Sequence, residues 1–370
     1  MLTLGNVPGY LIDCGLVSPQ SIVDGDLLVR ELSSRNHNFG VRCRQASSHL
    51  LKQAQAGQLD TVVNEAEVYR LLADEPSMHA YLVKFHGYDP QGKVLFLQYL
   101  HDAVDLATFH GRRRRPPTGV AGEVGAALAA LHRLPAARWE GLVMHPRRLS
   151  FLTPHRPDLE LYRTSTAAQL DLIRIIQGTP GFGESLDELA RAWSATTPIH
   201  HDARLINFLL TASPHQRRRP RVRLVDWEFA GLGDPRWDIG SVLAGYLSLW
   251  LSSIPMSATA SKARSVALAT RPLGLVQPAI LACWRGYVEA LDLDVTAARQ
   301  LLRGTVGFAA VRLVHTAREI AQSSGALTSD IVLHLQVAHN MLARPVEAAA
   351  HLLGLALDDG AGPDRADDPR

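Results

Sequence analysis

Short runs of apolar residues that alternate with polar ones open the chain, and they predict a β-rich first region. A helical spacing of apolar positions then follows from Thr61 to Ala73, with Asp60 as the candidate N-cap. Two further strands are separated by the turn at residues 89–92. The predicted order is therefore β-β-β-α-β-β, with strands at 26–31, twice within 39–54, near 81–88 and near 93–99.

The pattern changes after Leu100, where helical periodicity dominates. Helices are predicted over residues 122–131 and over most of 158–195 and 263–353, interrupted by two short apolar strands at 206–210 and 222–225. The longest uncharged stretch, 239–261, contains glycines, serines and Pro255, so it predicts a buried helix followed by a loop and not a membrane span. We therefore expect a first lobe over 1–100, a helical second lobe over 101–357, and a disordered tail over 358–370.

Composition and charge narrow the class of protein. Of 370 residues 46% are hydrophobic and 20% charged, which is an ordinary globular balance. The 38 basic and 36 acidic residues nearly cancel, which argues against bulk binding of nucleic acid. Three cysteines far apart in sequence favour neither a disulfide framework nor a cysteine zinc site, and with no predicted signal peptide they indicate the cytoplasm.

The candidate chemistry lies in the segment 199–207 and in the residues that follow it. Asp202 and Asn207 stand five positions apart on a loop entering one strand, and Asp226 ends the next strand nineteen positions after Asn207. Phosphoryl transfer needs a carboxylate that orients the acceptor hydroxyl, and an Asn and an Asp that hold magnesium on the nucleotide phosphates. The spacing matches the H-x-D-x-x-x-x-N plus D-x-x arrangement of kinase-like enzymes.

With these residues in place, the sequence resembles the aminoglycoside phosphotransferase and choline kinase superfamily, relatives of the protein kinases. The stretch 224–238, LVDWEFAGLGDPRWD, is especially similar to the second metal motif of that superfamily. The resemblance implies an α+β, bilobal protein-kinase-like fold, with a small β-rich nucleotide-binding lobe, a hinge near 98–101 and a larger helical lobe. It places the catalytic loop at 199–207 and the metal motif at 226–228.

The resemblance also implies a Mg-ATP-dependent enzyme and a role for individual residues. Asp202 would be the base, and Lys52 would clamp the phosphates with Glu65 as its helical partner. The other implied roles are magnesium binding by Asn207 and Asp226, support of the catalytic loop by His200 and Asp238, and nucleotide binding by Asn38, Gln98 and Leu100.

Two features depart from the protein-kinase pattern. No G-x-G-x-x-G precedes Lys52, and residues 33–40 take its place, which disfavours a true protein kinase without disfavouring phosphotransfer. Trp227 replaces the Phe of D-F-G, and Glu228 beside it is either part of the metal shell or a surface carboxylate. Arg204 stands where serine and threonine kinases carry a lysine, and it is either a group that stabilises the transferring phosphoryl or a surface arginine.

Rival interpretations remain beside these. Lys52 and Glu65 would be a plain surface ion pair in an unrelated protein. His200, His201 and Asp202 together suggest a metal oxygenase, although adjacent histidines seldom point the same way. A nucleotide-binding pseudokinase scaffold is the non-enzyme alternative. The arginine clusters at 112–115 and 217–221 are either solvated loops or a surface for an acidic peptide.

The acceptor is the least determined part of the prediction. Segments 155–195 and 255–345, where this superfamily binds its acceptor, hold 13 basic and 11 acidic residues, so the carboxylate excess that attracts an aminoglycoside is missing. Four segments, RNHNF at 35–39, LLKQ at 50–53, DWE at 226–228 and GDPRWDIG at 233–240, also resemble the subset acting in thioamitide and class V lanthipeptide pathways. This resemblance implies phosphorylation of peptide Ser or Thr before a separate lyase eliminates phosphate. A small-molecule kinase, of the aminoglycoside, choline or homoserine type, is the alternative.

Overall fold

The computed structural model describes residues 1–32, 37–44, 47–54, 61–142, 151–211, 221–255 and 262–356. The predicted tail at 358–370, residues 33–36 of the predicted phosphate loop and residues 217–220 of the second arginine cluster lie outside these ranges. Among the described helices, none combines the length and apolar character needed to cross a bilayer.

The first region is built on an antiparallel five-stranded sheet. The predicted order of elements is found, preceded by two short helices that the pattern did not predict. The elements are α1 (Val7–Asp13), α2 (Pro19–Val23), β1 (Leu27–Leu32), β2 (His37–Cys43), β3 (His49–Gln53), α3 (Thr61–Ala73), β4 (Phe85–Asp89) and β5 (Val94–Gln98). The strands pair in the order β1-β2-β3-β5-β4.

The two faces of this sheet carry different cores. Because side chains alternate across a strand, the neighbours Leu51 and Lys52 of β3 point to opposite faces. Leu51 joins a small core with Val7 and Leu11 of α1, and it is fully buried. Lys52 therefore faces the other way, towards Glu65 of α3, to which its ammonium is bonded.

The second region is mainly helical. One hydrophobic core extends from α3 of the first region through the helices of the second region, and it is continuous among the described residues. The elements are β6 (Val104–Asp105), α4 (Leu106–Gly111), α5 (Thr118–His132), α6 (Leu159–Thr164), α7 (Ala167–Gly178), α8 (Phe182–Arg191), β7 (Thr197–Ile199), β8 (Phe208–Thr211), β9 (Arg221–Leu224), β10 (Gly231–Gly233), α9 (Pro235–Leu251), α10 (Lys262–Ala267), α11 (Leu273–Leu291), α12 (Val295–Ser324), α13 (Ser329–Ala343) and α14 (Pro345–Ala348).

Helices α5 and α11 pack with their backbones in close approach, and glycine makes this possible. A Cβ at Gly125 would overlap the carbonyl oxygen of Cys283, and a Cβ at Gly286 would overlap that of Gly122. The alanine and glycine content of α5 thus serves a tight helix pair.

The segment before β4 joins the two regions. The predicted strand near 81–88 begins only at Phe85, because the carbonyl of Tyr81 accepts the N–H of Leu224 in β9. Arg223 of the same strand donates to the carbonyls of His79, Ala80 and Leu82 at 3.1, 2.6 and 3.1 Å. The sheet is therefore fixed to the strand that leads into Asp226.

Candidate active site

A cavity of about 1050 Å³ lies between the sheet and the helical region. Carboxylates, an amide, cations and hinge groups predicted from distant parts of the sequence meet there. The predicted residues that line it are Asn38, Lys52, Glu65, Gln98, Leu100, Asp202, Arg204, Asn207 and Asp226. His200 and Asp238, predicted as supports, lie behind the lining.

Lys52 is held between two carboxylates. Its Nζ lies 2.7 Å from Glu65 Oε2 and 2.6 Å from Asp226 Oδ1. Both Lys52 and Glu65 are buried, so a plain surface ion pair is excluded. Burial would lower the pKa of Lys52, but the charges of Asp226 and Glu65 outweigh it and raise that pKa, so the ammonium stays charged.

Asp226 follows β9 in a left-handed backbone conformation, with φ 70° and ψ 57°. Non-glycine residues rarely adopt this conformation, and it turns the carboxylate towards the cavity. Burial opposes ionisation of Asp226, yet the ammonium of Lys52 keeps the pKa of the carboxyl below its ordinary value. An ionised carboxylate is therefore present where β9 ends.

Glu228 is buried, so it is not a surface carboxylate. Its Oε2 accepts the hydroxyl of Thr61 at 2.5 Å, and its backbone carbonyl accepts the amide of Asn64 at 3.0 Å. Both partners belong to the first two turns of α3. Glu228 lines the cavity and at the same time ties α3 to the metal motif.

The side-chain amide of Asn207 links the end of the catalytic loop back to Asp202. Asn207 Nδ2 donates to the carbonyl of Asp202 at 2.8 Å and to its Oδ2 at 3.0 Å. The backbone carbonyl of Asn207 in turn accepts the N–H of Val225, the residue before Asp226. The three polar residues that the spacing selected are thus fixed to one another.

Asp238, at the start of α9, supports this loop from below. Its carboxylate accepts the N–H groups of His200 and His201 at 2.6 and 3.0 Å and lies 3.3 Å from His132 Nε2. His132 Nδ1 lies 2.7 Å from the hydroxyl of Tyr287. The loop therefore rests on a buried polar chain that reaches α5 and α11.

The two histidines do not form a metal site. Their Nε2 atoms lie 3.0 Å from the carbonyl of Val225 for His200 and 3.2 Å from that of Leu232 for His201. No group of three His, Cys, Asp or Glu side chains in the described part of the chain could hold a metal ion. The oxygenase interpretation has no support in this geometry.

Arg204 is paired with Asp202 through two contacts. Its Nε lies 2.9 Å from Asp202 Oδ1, and its Nη2 donates to Oδ2 at 3.0 Å. Its Nη1 lies 3.4 Å from Glu319 of α12. Burial opposes the charge on Arg204, but both carboxylates outweigh it and raise the pKa of the guanidinium. Arg204 is thus part of the cleft and not an isolated surface arginine.

The donor set suits a magnesium ion that is shared with phosphate. Asn207 uses its amide nitrogen for Asp202, which leaves the amide oxygen as a ligand atom, and Asp226 supplies a carboxylate. Magnesium commonly binds through one or two protein carboxylates together with substrate phosphates and waters. The pair fits such an ion and would not suffice for a metal held by protein alone.

The predicted hinge follows β5. Gln98 N–H donates to the carbonyl of Lys84 at 2.8 Å, and Tyr99 N–H donates to that of Ser48 at 2.9 Å. Leu100 comes next, and it lines the cavity together with Gln98 and Tyr99.

Sequence reasoning missed the part of the cavity formed by α12. Arg312, His315, Arg318 and Glu319 all line it. Their spacing of three, three and one places them on one face of a helix, and the polar residues that follow the apolar run 306–311 were the available signal. Nothing in the sequence related that face to Asp202.

A profile described as the phosphotransferase enzyme family matches residues 29–265, well over half of the chain. The comparison with curated proteins finds no significant match.

Solved structures with a similar fold are kinases and phosphotransferases by their descriptions. A choline kinase from Cryptosporidium parvum Iowa II is 13% identical with a TM-score of 0.53, over 92% of this chain and 96% of that chain. A choline/ethanolamine kinase family protein from Mesorhizobium loti is 16% identical with a TM-score of 0.48, over 88% and 91%. A macrolide 2'-phosphotransferase from Brachybacterium faecium is 15% identical with a TM-score of 0.43, over 87% and 93%.

Proposed function

Because this chain belongs to the phosphotransferase enzyme family and has its α+β kinase-like fold, we propose that it is a kinase that transfers the γ-phosphoryl group of Mg-ATP to a hydroxyl. The predicted fold class is confirmed. The proposal includes two lobes, a nucleotide-binding lobe over residues 1–100 and a helical lobe over residues 101–357.

The observation that carries the proposal is the convergence of Lys52, Asp202 and Asp226 on one cavity. A buried ammonium, an amide-held carboxylate and an ionised carboxylate are the set that phosphoryl transfer requires. A scaffold that only binds nucleotide has no need for Asp202 and Asn207 in this arrangement, so the geometry favours turnover.

The chemistry assigns a task to each group. Lys52 binds phosphate oxygens and gives up part of its contact with Asp226, while Glu65 keeps the ammonium oriented. A magnesium ion bound by Asn207 and Asp226 would neutralise phosphate charge. Leu100 binds the base, with Gln98 beside it in the hinge, and Asn38, the β2 partner of Lys52, binds the nucleotide nearer the phosphates.

Asp202 accepts the hydrogen bond of the acceptor hydroxyl and orients its oxygen towards phosphorus. The bond from phosphorus to the β,γ-bridging oxygen breaks, the bond to the acceptor oxygen forms, and the hydroxyl proton passes to Asp202. Arg204 stabilises the charge that develops on the transferring group, and ADP leaves with the electron pair.

For the acceptor we propose Ser or Thr of a peptide, to be followed by elimination by a separate lyase. Ile206, between Arg204 and Asn207, is 53% exposed, so the catalytic loop offers apolar surface beside the base for an extended chain. The four arginines 112–115 are exposed as well and suit an acidic peptide. A small hydroxyl compound is the second candidate, because the cavity is large enough to enclose one beside ATP.

The test is mass spectrometry after incubation of the protein with Mg-ATP and two acceptor pools. One pool contains serine and threonine peptides, and the other contains aminoglycosides, choline and small hydroxy acids. A gain of about 80 Da, one phosphoryl group, on a peptide supports the full proposal, and a gain on a small molecule supports the kinase with the second acceptor. Binding of ATP without transfer or hydrolysis would contradict the proposal and support the scaffold.

A further inference from the structure

The acceptor end of the cavity is lined by one face of α12. Arg312, His315, Arg318 and Glu319 lie there, beside the catalytic loop. Glu319 connects the two, because Arg204 of the loop lies 3.4 Å from its Oε2 and Arg312 lies 2.7 Å from its Oε1. A chain of ion pairs therefore links this face to Asp202, from Arg312 through Glu319 to Arg204.

The two arginines of this α12 face are less exposed than its carboxylate Glu319. Arg312 is 7% exposed, and Arg318 is half-buried. Two other acidic residues of the lining, Asp158 and Glu160, are exposed, and Asp158 also caps α6 by accepting the N–H of Leu161. Water screens charges at an exposed rim much more than charges inside a cleft, so on the α12 face of the cavity the less screened charges are those of the two arginines.

The other carboxylates that line the cavity are already bonded, because Glu65 and Asp226 share the ammonium of Lys52 and Glu228 accepts the hydroxyl of Thr61. Asp202 is paired with Arg204, and Glu319 lies between Arg204 and Arg312. Arg318 makes no side-chain hydrogen bond or ion pair with any described residue. Burial lowers the pKa of its guanidinium, and the neighbouring charge of Glu319 offsets this only in part. A half-buried arginine whose neighbouring carboxylate compensates its burial only in part is stabilised further by a bound anion.

We propose that the acceptor carries an anionic group next to its hydroxyl, and that Arg318, assisted by Arg312, binds this group. This rests on the proposed function, because it names the acceptor class of the same site. A guanidinium recognises a carboxylate through two parallel hydrogen bonds, which would fix the acceptor while Asp202 orients the hydroxyl. Acidic side chains of a peptide and the carboxylate of a small hydroxy acid supply the same chemistry.

The experiment compares matched acceptors that differ in charge. The peptide arm uses pentapeptides with a central serine flanked by glutamate, glutamine or lysine, and the small-molecule arm uses glycerate, glycerol and choline. We expect the acidic acceptor of one arm to exceed its neutral match in kcat/KM by roughly tenfold or more, as expected for a charge-assisted hydrogen bond. The arm that shows the preference identifies the source of the anion.

Substitutions then assign the preference to a residue. Arg318→Gln should lower the ratio of acidic to neutral kcat/KM roughly tenfold through KM for the acceptor, and Arg318→Lys should retain part of it. The matched control is Arg163→Gln, an exposed arginine of α6 outside the cavity lining, which should leave the ratio unchanged.

The possible failures are distinct. Phosphorylation of neutral or cationic acceptors as efficient as that of acidic ones would overturn the inference and leave the kinase in place. The same conclusion follows if Arg318→Gln raises KM for ATP and leaves the acceptor ratio unchanged, because Arg318 would then contact the nucleotide. Absence of both ATP hydrolysis and transfer to every probe would contradict the proposed function itself.

Discussion

Lys52 and Asp226, 174 positions apart in the sequence, form an ion pair of 2.6 Å that joins the sheet to the end of β9. Glu65 holds the same ammonium from the other side at 2.7 Å. The charge of Lys52 is therefore positioned at the point where nucleotide phosphates and Asp226 would meet.

Replacement of this ammonium should weaken nucleotide binding and turnover together. Lys52→Met removes the cation but keeps the length of the side chain, so we expect kcat/KM for ATP to fall roughly 100-fold or more. Steady-state kinetics at varied ATP measure this. Lys84→Met, at an exposed lysine before β4, is the control and should behave like the wild type. A Lys52→Met enzyme with wild-type kinetics would show that Lys52 is only structural.

The magnesium requirement should depend on Asn207. Asn207→Ala removes the amide oxygen and also the hydrogen bonds to Asp202, so we expect the Mg²⁺ concentration for half-maximal turnover to rise about tenfold. Turnover measured during a Mg²⁺ titration, with a chelator as the zero point, tests this. The exposed Asn340→Ala should leave the titration unchanged. Full turnover of the wild type in the chelator would show that no divalent cation is needed.

The sequence predicted the sheet and the catalytic loop because each depends on local signals. The alternation around Leu51 and Lys52 fixed which side chain faces α3, and the spacing of Asp202 and Asn207 was sufficient to suggest that the two are linked. In the structure Leu51 is fully buried, and Lys52 on the other face is bonded to Glu65 of α3. The amide of Asn207 donates to the carboxylate of Asp202. The roles of these residues remain predictions.

The sequence could not predict contacts between elements far apart in the chain. Arg318 reaches the cleft only because α12 packs beside α9, and no local pattern specifies that packing. Tyr81 was predicted in a strand by its apolar surroundings, yet its carbonyl is used by β9. From the sequence, Glu228 was either part of the metal shell or a surface carboxylate, and its burial against Thr61 became evident only from the tertiary structure.

Stability should decrease in acid through His110, which is fully buried in α4. Burial, with the charges of Arg113 and Arg271, lowers its pKa from 6.5 to about 4. The unfolded chain then binds more protons than the native one between these values, so stability is lost as the pH falls through this window. The shift corresponds to about 3 kcal/mol.

Urea unfolding at pH 7 and pH 4 tests this contribution. His110→Gln should lose about 3 kcal/mol less than the wild type over that range, because the variant has no proton to bind at this position. His351→Gln, at an exposed histidine, serves as the control. Equal losses in His110→Gln and the wild type would contradict the assignment.

The close approach of α5 and α11 predicts a large difference between two glycines of one helix. A Cβ at Gly125 would overlap the carbonyl oxygen of Cys283, so Gly125→Ala should destabilise the protein by roughly 1–3 kcal/mol or more. A Cβ at Gly119 meets no atom within 4 Å, so Gly119→Ala should stabilise the helix by up to about 1 kcal/mol. Thermal unfolding measures both, and a stabilised Gly125→Ala variant would disprove the packing.

The central claim, that Asp202 orients an acceptor hydroxyl for transfer from Mg-ATP, is tested most directly by Asp202→Asn. The amide keeps the shape of the side chain but accepts no proton, so turnover should fall roughly 100-fold or more while the Kd for ATP stays within about twofold. Transfer followed by mass spectrometry and ATP binding followed by calorimetry give the two values. Turnover equal to that of the wild type would contradict the account.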